Sequence, residues 1–371
     1  AIDLADKLAA MIPMQDAVLS FGNSGSDAND THIKLLRYYH EAIGKPECRK
    51  IIARERSYHG VTVAAASLTG LPVTQNHFDL PVDALGILRT DHPHYYRGKQ
   101  GDESETEFVD RIVGNLEAMI VREGPETIAA FIAEPITGAS GVIVPPTGYY
   151  QKVQAVLNKY GIMFWADEVI TGFGRTGNDF GCTTMGIESP AMMTFAKQLS
   201  SAYMPISASA IRREMYDAMI DQSANAGAFG HGYTYSGHPV ACAVALKTLE
   251  IYTRDHIFEK AAVTGEYLQK RLAEFSDHPL VGEVRGSGLI GALELVANKE
   301  TGEPFVGGAV GGYAQKVAQD NGLLIRAVAG SSLGFCPPLI INAEQIDEMM
   351  AAVAIALDVT LDHCRKENLL V

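Results

Sequence analysis

Short apolar runs alternate with amphipathic stretches through the first two-thirds of the chain: KIIARERS (50–57), AAFIAEP (129–135), GIMFWADEV (161–169) and AMMTFAK (191–197). Runs of roughly four to eight apolar residues bounded by turn formers predict strands buried on both faces. TGYYQKVQAVLNKYG (147–161), between the second and third runs, has the apolar spacing of a helix. This alternation predicts an α/β domain with a mostly parallel central sheet. The opening AIDLADKLAAMI is already helical in period, through Ile2, Leu4, Ala5, Leu8, Ala9 and Ile12.

From about residue 250 the pattern changes. VRGSGLIGALELV, NGLLIRAV and LGFCPPLII predict short strands, and a long helix closes the chain, with Asn342 and Gln345 as its capping box and Ile346, Met349, Met350, Val353 and Leu357 on one face. The expected organisation is a large α/β domain over residues 1–247 and a smaller α+β domain over residues 248–371.

At 371 residues and 47% hydrophobic, the chain can bury a substantial core. Its formal charge of -14 opposes a sequence-independent grip on nucleic acid or an anionic membrane, because the summed field repels polyanions. The 5 cysteines are scattered without CxxC spacing, so they predict neither a disulfide framework nor a zinc site and read as reduced thiols of a cytoplasmic protein. No apolar stretch approaches the ~18–20 residues that span a bilayer, and the N-terminus lacks a secretory pattern. The chain opens without Met, which predicts residues upstream of it.

Three strand-like runs each end in a charged residue: Glu134, Asp167 and Lys197. Taken singly, each is a solvated charge opening a loop; taken in series, they fall where an open α/β sheet places its ligand. Upstream, Asn23, Ser24, Gly25 and Ser26 precede a helical pattern that carries Ile33 and Leu36. Such residues are ordinary helix capping or a cradle for a phosphate on free backbone N–H groups, and the sequence leaves both open. Lys197, after an apolar run, is expected to be partly desolvated and so easier to deprotonate. A neutral amine there could form a Schiff base with a cofactor aldehyde. Asp167 would then find its partner in the pyridine nitrogen of pyridoxal phosphate, whose protonated ring is an electron sink.

The motifs FWADEVITGFGRTG, TFAKQLSSAYMPISA, NSGSDAND, SYHG, FIAEPI and GYTYSGHP together resemble the class III pyridoxal-phosphate-dependent aminotransferases of fold type I, and within them the amine–pyruvate or ω-transaminase subgroup. The resemblance covers essentially the whole chain. It implies pyridoxal 5'-phosphate as cofactor, with Lys197 attached to it and moving a proton, and Asp167 on the pyridine nitrogen. Val169 and Tyr58 would lie on opposite ring faces, Ser24, Gly25 and Ser26 would hold the phosphate, and Glu134 would support the site near the ring hydroxyl, unless as an acid before Pro135 it simply opens a loop. His59, beside Tyr58, reads as a structural hydrogen-bonding histidine, because Lys197 already fills the role of base. Thr234 would join the phosphate from a second subunit of a homodimer, with pairing into tetramers left open. The resemblance further implies that Arg326 binds a substrate carboxylate and swings away for an amine lacking one, and that the family's N-terminal segment is missing ahead of this chain. The implied reaction transfers an amino group from a primary amine or ω-amino acid to pyruvate or a similar 2-oxo acid by a ping-pong mechanism. An aminomutase, racemase or decarboxylase on the same scaffold is the alternative.

Two further patterns carry less. His231 and His238 lack the additional ligands of a metal site. Gly172, Gly174 and Gly177 satisfy G-x-G-x-x-G after a strand, but the segment that follows lacks the helical period needed to receive a dinucleotide pyrophosphate, so Arg175 within it is expected to be structural.

Overall fold

The apolar runs of the first two-thirds form a seven-stranded sheet of β1 (Val18–Gly22), β2 (Lys50–Arg54), β3 (Ile87–Thr90), β4 (Ile128–Ala133), β5 (Met163–Asp167), β6 (Met192–Phe195) and β7 (Ser207–Ile211). The structure, a computed structural model, describes residues 1–371, with residues 225 and 226 described by backbone alone. The strand order is β1-β7-β6-β5-β4-β2-β3. Strands β3, β2, β4, β5 and β6 are mutually parallel, whereas β7 is antiparallel to both β6 and β1. The two reversals cancel, so β1 ends at the same edge of the sheet as the parallel set. That edge therefore receives the segments following β1, β2, β4, β5 and β6.

Every residue of β4, β6 and β7 is buried, as expected for strands covered on both faces. The helix Gly25–Ala42 packs Ile33, Leu35 and Leu36 into the same core cluster as Ile51, Ala130 and Trp165. The segment 147–161 folds as the helix Tyr149–Tyr160, stopped by Gly161 in the left-handed region at φ 69°.

The chain divides into two compact units: Ala1–Pro135, Pro145–Phe173 and Phe180–Asp255 form the first, and Ile136–Val144, Gly174–Asp179 and His256–Val371 the second. In the second unit, β8 (Val281–Ser287) and β9 (Ile290–Asn298) pair as a hairpin, and β9 also pairs with β10 (Glu303–Pro304) and with β12 (Ser332–Phe335), which in turn pairs with β11 (Arg326–Val328). Of NGLLIRAV only the last three residues enter the sheet; Leu324 is exposed and makes no strand. The closing helix Ala343–Lys366 has the expected Asn342–Gln345 capping box, and Ile346, Met349, Met350, Val353 and Leu357 are buried along it.

Two arginines fasten the short segments of the second unit. Arg175 donates to the carbonyls of Leu289 (2.9 Å) and Pro337 (2.5 Å), and Arg285 donates to those of Gly141 (2.8 Å) and Val142 (3.1 Å). The glycine run 172–177 has a packing role as well. A Cβ on Gly288, which sits at φ +57°, would lie 2.4 Å from the Gly177 nitrogen, so two backbones touch where side chains do not fit.

Candidate functional site

At the C-terminal edge of the seven-stranded sheet lies a cavity of about 420 Å³, lined by Ser24, Gly25, Ser26, Tyr58, His59, Glu134, Asp167, Val169 and Lys197, with Asn23, Gly60, Ile170, Ala196 and residues 200–206 in part. Nine of the expected site residues thus meet around one space. Thr234 stands exposed on a turn after Tyr233, and Arg326 stands exposed at the start of β11; neither lines this cavity.

The wall following β1 is a helix N-terminus. Ser24 is the N-cap; its hydroxyl accepts from the Asp27 N–H (3.3 Å), and the Asp27 carboxylate accepts from the N–H groups of Asn23 (2.9 Å) and Ser24 (3.0 Å) and from the Ser207 hydroxyl (3.0 Å). The capping role is present. Ser24 is engaged in the cap, while the N–H groups of Gly25 and Ser26 stand in the first turn beyond reach of any carbonyl of their own helix. A Cβ on Gly25 would come within 3.0 Å of Val169 Cγ2, so glycine is what lets Val169 close against the helix terminus.

Asp167 closes β5 and is buried. Its Oδ2 accepts from His59 Nδ1 (2.8 Å) and Asn29 Nδ2 (3.0 Å), and its Oδ1 from the Val169 N–H (3.1 Å). Burial alone would raise its pKa, but the His59 hydrogen bond and charge, with Asn29 and the Val169 N–H, hold the carboxyl below the usual aspartate range. Protein donors therefore satisfy much of this acid; a ring N–H⁺ is not its sole reason for being there. His59 Nε2 is buried without a hydrogen-bond partner among the described residues, and because a carboxylate only accepts, the ring presents a proton on Nδ1. The neighbouring Glu168 has a different task. It accepts from Thr171 Oγ1 (2.5 Å) and from the N–H groups of Gly181 (3.0 Å) and Cys182 (2.6 Å), anchoring the loop after β5 to the short helix Gly181–Met185. Burial raises its pKa despite those bonds.

Glu134, buried at the end of β4, accepts from the Tyr58 N–H through Oε1 (2.8 Å), while its carbonyl takes Arg54 Nη2 (2.7 Å) and the Tyr150 hydroxyl (2.6 Å). It thereby fixes the start of the segment that presents Tyr58 and His59. Lys197 opens a 3₁₀ turn after β6 with φ 40°, in the left-handed region that costs a non-glycine residue roughly 1–3 kcal/mol. Its side chain is exposed to the cavity, where the sequence predicted partial desolvation; the strand's burial ends at Ala196, and the turn lifts the lysine clear of it.

These groups fit pyridoxal phosphate: N–H donors for a phosphoryl group, an acid held ionised for a ring nitrogen, Val169 and Tyr58 as ring-sized apolar walls, and a primary amine for the carbonyl carbon. Sequence reasoning did not single out Asn29, although a polar residue spaced with Ile33 and Leu36 on a helix's buried face was a signal, nor Gly60, Ile170 or Pro205.

Residues 1–357 match the family model described as aminotransferase class-III. The chain is similar to gamma aminobutyrate transaminase 3, chloroplastic, of Solanum lycopersicum, with 48% identity over 359 residues that cover 96% of this chain and 68% of that protein. Among solved structures, a transaminase with L-ala superposes with a TM-score of 0.95 at 51% identity, covering 98% of this chain and 85% of the other. The omega transaminase from Pseudomonas jessenii in complex with PMP does so at 0.95 and 49% identity, covering 97% and 79%.

Proposed function

The chain belongs to the class-III aminotransferases, pyridoxal-phosphate enzymes of fold type I, and from that premise we propose that it moves an amino group from a primary amine or ω-amino acid to pyruvate or a similar 2-oxo acid in a ping-pong cycle. The observation that carries this reading is the convergence of Lys197, Asp167 and the first-turn N–H groups of Gly25 and Ser26 on one cavity. Bound there, the cofactor supplies an electron sink for a carbanion at the substrate's Cα.

Lys197 Nζ would be the amine that attaches the cofactor and would take and return the proton at the substrate's Cα. Asp167 would hold the proton on the ring nitrogen, and Gly25 and Ser26 would bind the phosphate with their N–H groups. Tyr58 and Val169 flank the ring, while Ile170, Met204, Pro205 and Ile206 give the cavity an apolar lining that favours an amine with an apolar substituent. His59 holds Asp167, and Glu134 holds the Tyr58 segment. Thr234, exposed on its turn, completes the phosphate site of a partner in a homodimer, and Arg326 receives the substrate carboxylate. A relative named as a gamma aminobutyrate transaminase supports an ω-amino acid donor. The five unpaired cysteines support a reducing compartment, for which we propose the cytoplasm, although that relative is named chloroplastic.

Amine-dependent consumption of pyruvate, followed with Lys197→Ala alongside across aliphatic, aromatic and ω-amino acid donors, tests the reading. Activity in the wild type and its loss on the order of 10²–10⁴-fold in the variant is expected. No consumption with any donor would refute it.

A further inference from the structure

A buried hydrogen-bond chain runs behind Asp167, and its direction can be read from its far end. Trp165 Nε1–H, a donor only, reaches Thr194 Oγ1 at 2.9 Å, so the threonine oxygen accepts there. Thr194 then gives its own hydrogen to Asn29 Oδ1 at 2.8 Å. That contact orients the amide, and Asn29 Nδ2 faces two acceptors, the His59 carbonyl at 2.6 Å and Asp167 Oδ2 at 3.0 Å. No flip of the amide satisfies the same four groups.

The sheet places these residues. Trp165 and Asp167 are two apart on β5 and share a face, and Asp167 pairs in register with Thr194 on β6. Asn29 comes down on that face from the helix Gly25–Ala42. Trp165, Thr194 and Asn29 are all fully buried and none lines the cavity. His32, one turn along the same helix, packs its ring edge-on to Trp165 at 5.0 Å. Apolar side chains could fill this volume without desolvating four polar groups. The chain instead terminates on Asp167, a carboxylate that lines the cavity.

We propose that Thr194 and Asn29, ordered by Trp165, are positioning residues for Asp167, keeping its Oδ2 doubly hydrogen-bonded so that the carboxylate is aimed to hold the proton on the cofactor's ring nitrogen. The inference rests on the assignment of Asp167 as the ring-nitrogen partner. It predicts that a residue which touches neither cofactor nor substrate sets the state of the ring.

The test uses the holoenzyme loaded with pyridoxal phosphate labelled with ¹⁵N in the ring, whose chemical shift reports whether that nitrogen is protonated. Thr194→Val keeps the shape and removes the relay, while Thr194→Ser keeps the hydroxyl. The wild type and T194S are expected to show the protonated shift. T194V is expected to move toward the unprotonated one and to retain the cofactor on the order of tenfold less tightly in a spectral titration. If T194V keeps both the wild-type shift and the wild-type affinity, the relay is ordinary core structure and the proposal falls. Asp167→Asn separates the two levels: if it leaves the nitrogen shift as in the wild type, the assignment of Asp167 fails first and the relay with it. Should T194V not fold, Trp165→Phe, which deletes only the first donor, carries the same test, with a move toward the unprotonated shift in support and an unmoved shift against.

Discussion

Asp167 Oδ2 and His59 Nδ1 lie 2.8 Å apart at the floor of the cavity, with their side chains 4% and 0% exposed. A carboxylate in such a place is desolvated, and the histidine proton is the largest influence opposing that cost. Because the folded pKa of Asp167 is held below its ordinary value of 3.8, its stabilising contribution is present above that pH and is lost as pH falls through the lower, folded value. His59→Phe removes the donor while keeping a ring, so the folded pKa rises and the contribution is lost at a higher pH. Measured as cofactor retention against pH, the acid limb of the variant is expected to lie above that of the wild type. Superimposable limbs would show that His59 does not hold Asp167.

Glu168 gives the opposite sign. Its folded pKa is raised above the ordinary 4.5, so the native state binds more protons than the unfolded chain from 4.5 up to the folded value, and stability declines as pH rises through that window. Glu168→Gln cannot ionise and keeps one acceptor oxygen for the Cys182 N–H. Urea unfolding across a pH series is expected to show a flatter decline above pH 4.5 in the variant than in the wild type. An identical slope would mean that Glu168 is not the group responsible.

Gly25 and Gly60 separate cofactor binding from folding. Alanine at Gly25 puts a methyl 3.0 Å from Val169 Cγ2, the tip of a side chain that faces the cavity. The expected result is intact folding with cofactor held about tenfold less tightly, a loss of roughly 1.4 kcal/mol. Alanine at Gly60 is placed at φ +133° with its methyl 2.5 Å from Ser26 Oγ and 2.9 Å from Ser26 Cα, so backbone must move. A stability loss of roughly 1–3 kcal/mol is expected from thermal or urea unfolding. If both variants behave alike, the helix terminus is not the anion site.

How far the sequence carried can be judged residue by residue. The strands showed because fully buried runs such as Ile128–Ala133 are continuous in apolar character, and Asp167 and Lys197 showed because charge at the end of such a run is abrupt. Lys197 and Asp167 at strand ends pointed to an aldehyde cofactor with a ring nitrogen, and the resemblance added the phosphate, ring-face and substrate residues around it. Contacts between residues far apart in the chain were not legible: Asn29 meets Asp167 across 138 positions, and Thr194 meets Asn29 across 165. The left-handed turn at Lys197 was not legible, because the apolar run before it carries no mark of the backbone state that follows. For the same reason the segments Ile136–Val144 and Gly174–Asp179, which join the second unit through Arg285 and Arg175, have no mark in composition.

Arg326 tests what the enzyme distinguishes. It begins β11, opposite Gly334, and is exposed, so its guanidinium is free of the burial that would fix it in one orientation. If it receives a substrate carboxylate, Arg326→Ala removes a charge-assisted hydrogen bond worth roughly 1.5–3 kcal/mol, and KM for pyruvate and for an ω-amino acid is expected to rise about tenfold to a hundredfold. KM for a simple amine, which has no carboxylate, is expected to stay where it was. Arg326→Lys keeps the charge but not the planar fork, so it should recover only part of the loss. Half-reactions measured separately with each substrate give the split directly. Equal effects on amine and oxo acid would mean that Arg326 is a solvated strand residue and that carboxylate selection lies elsewhere.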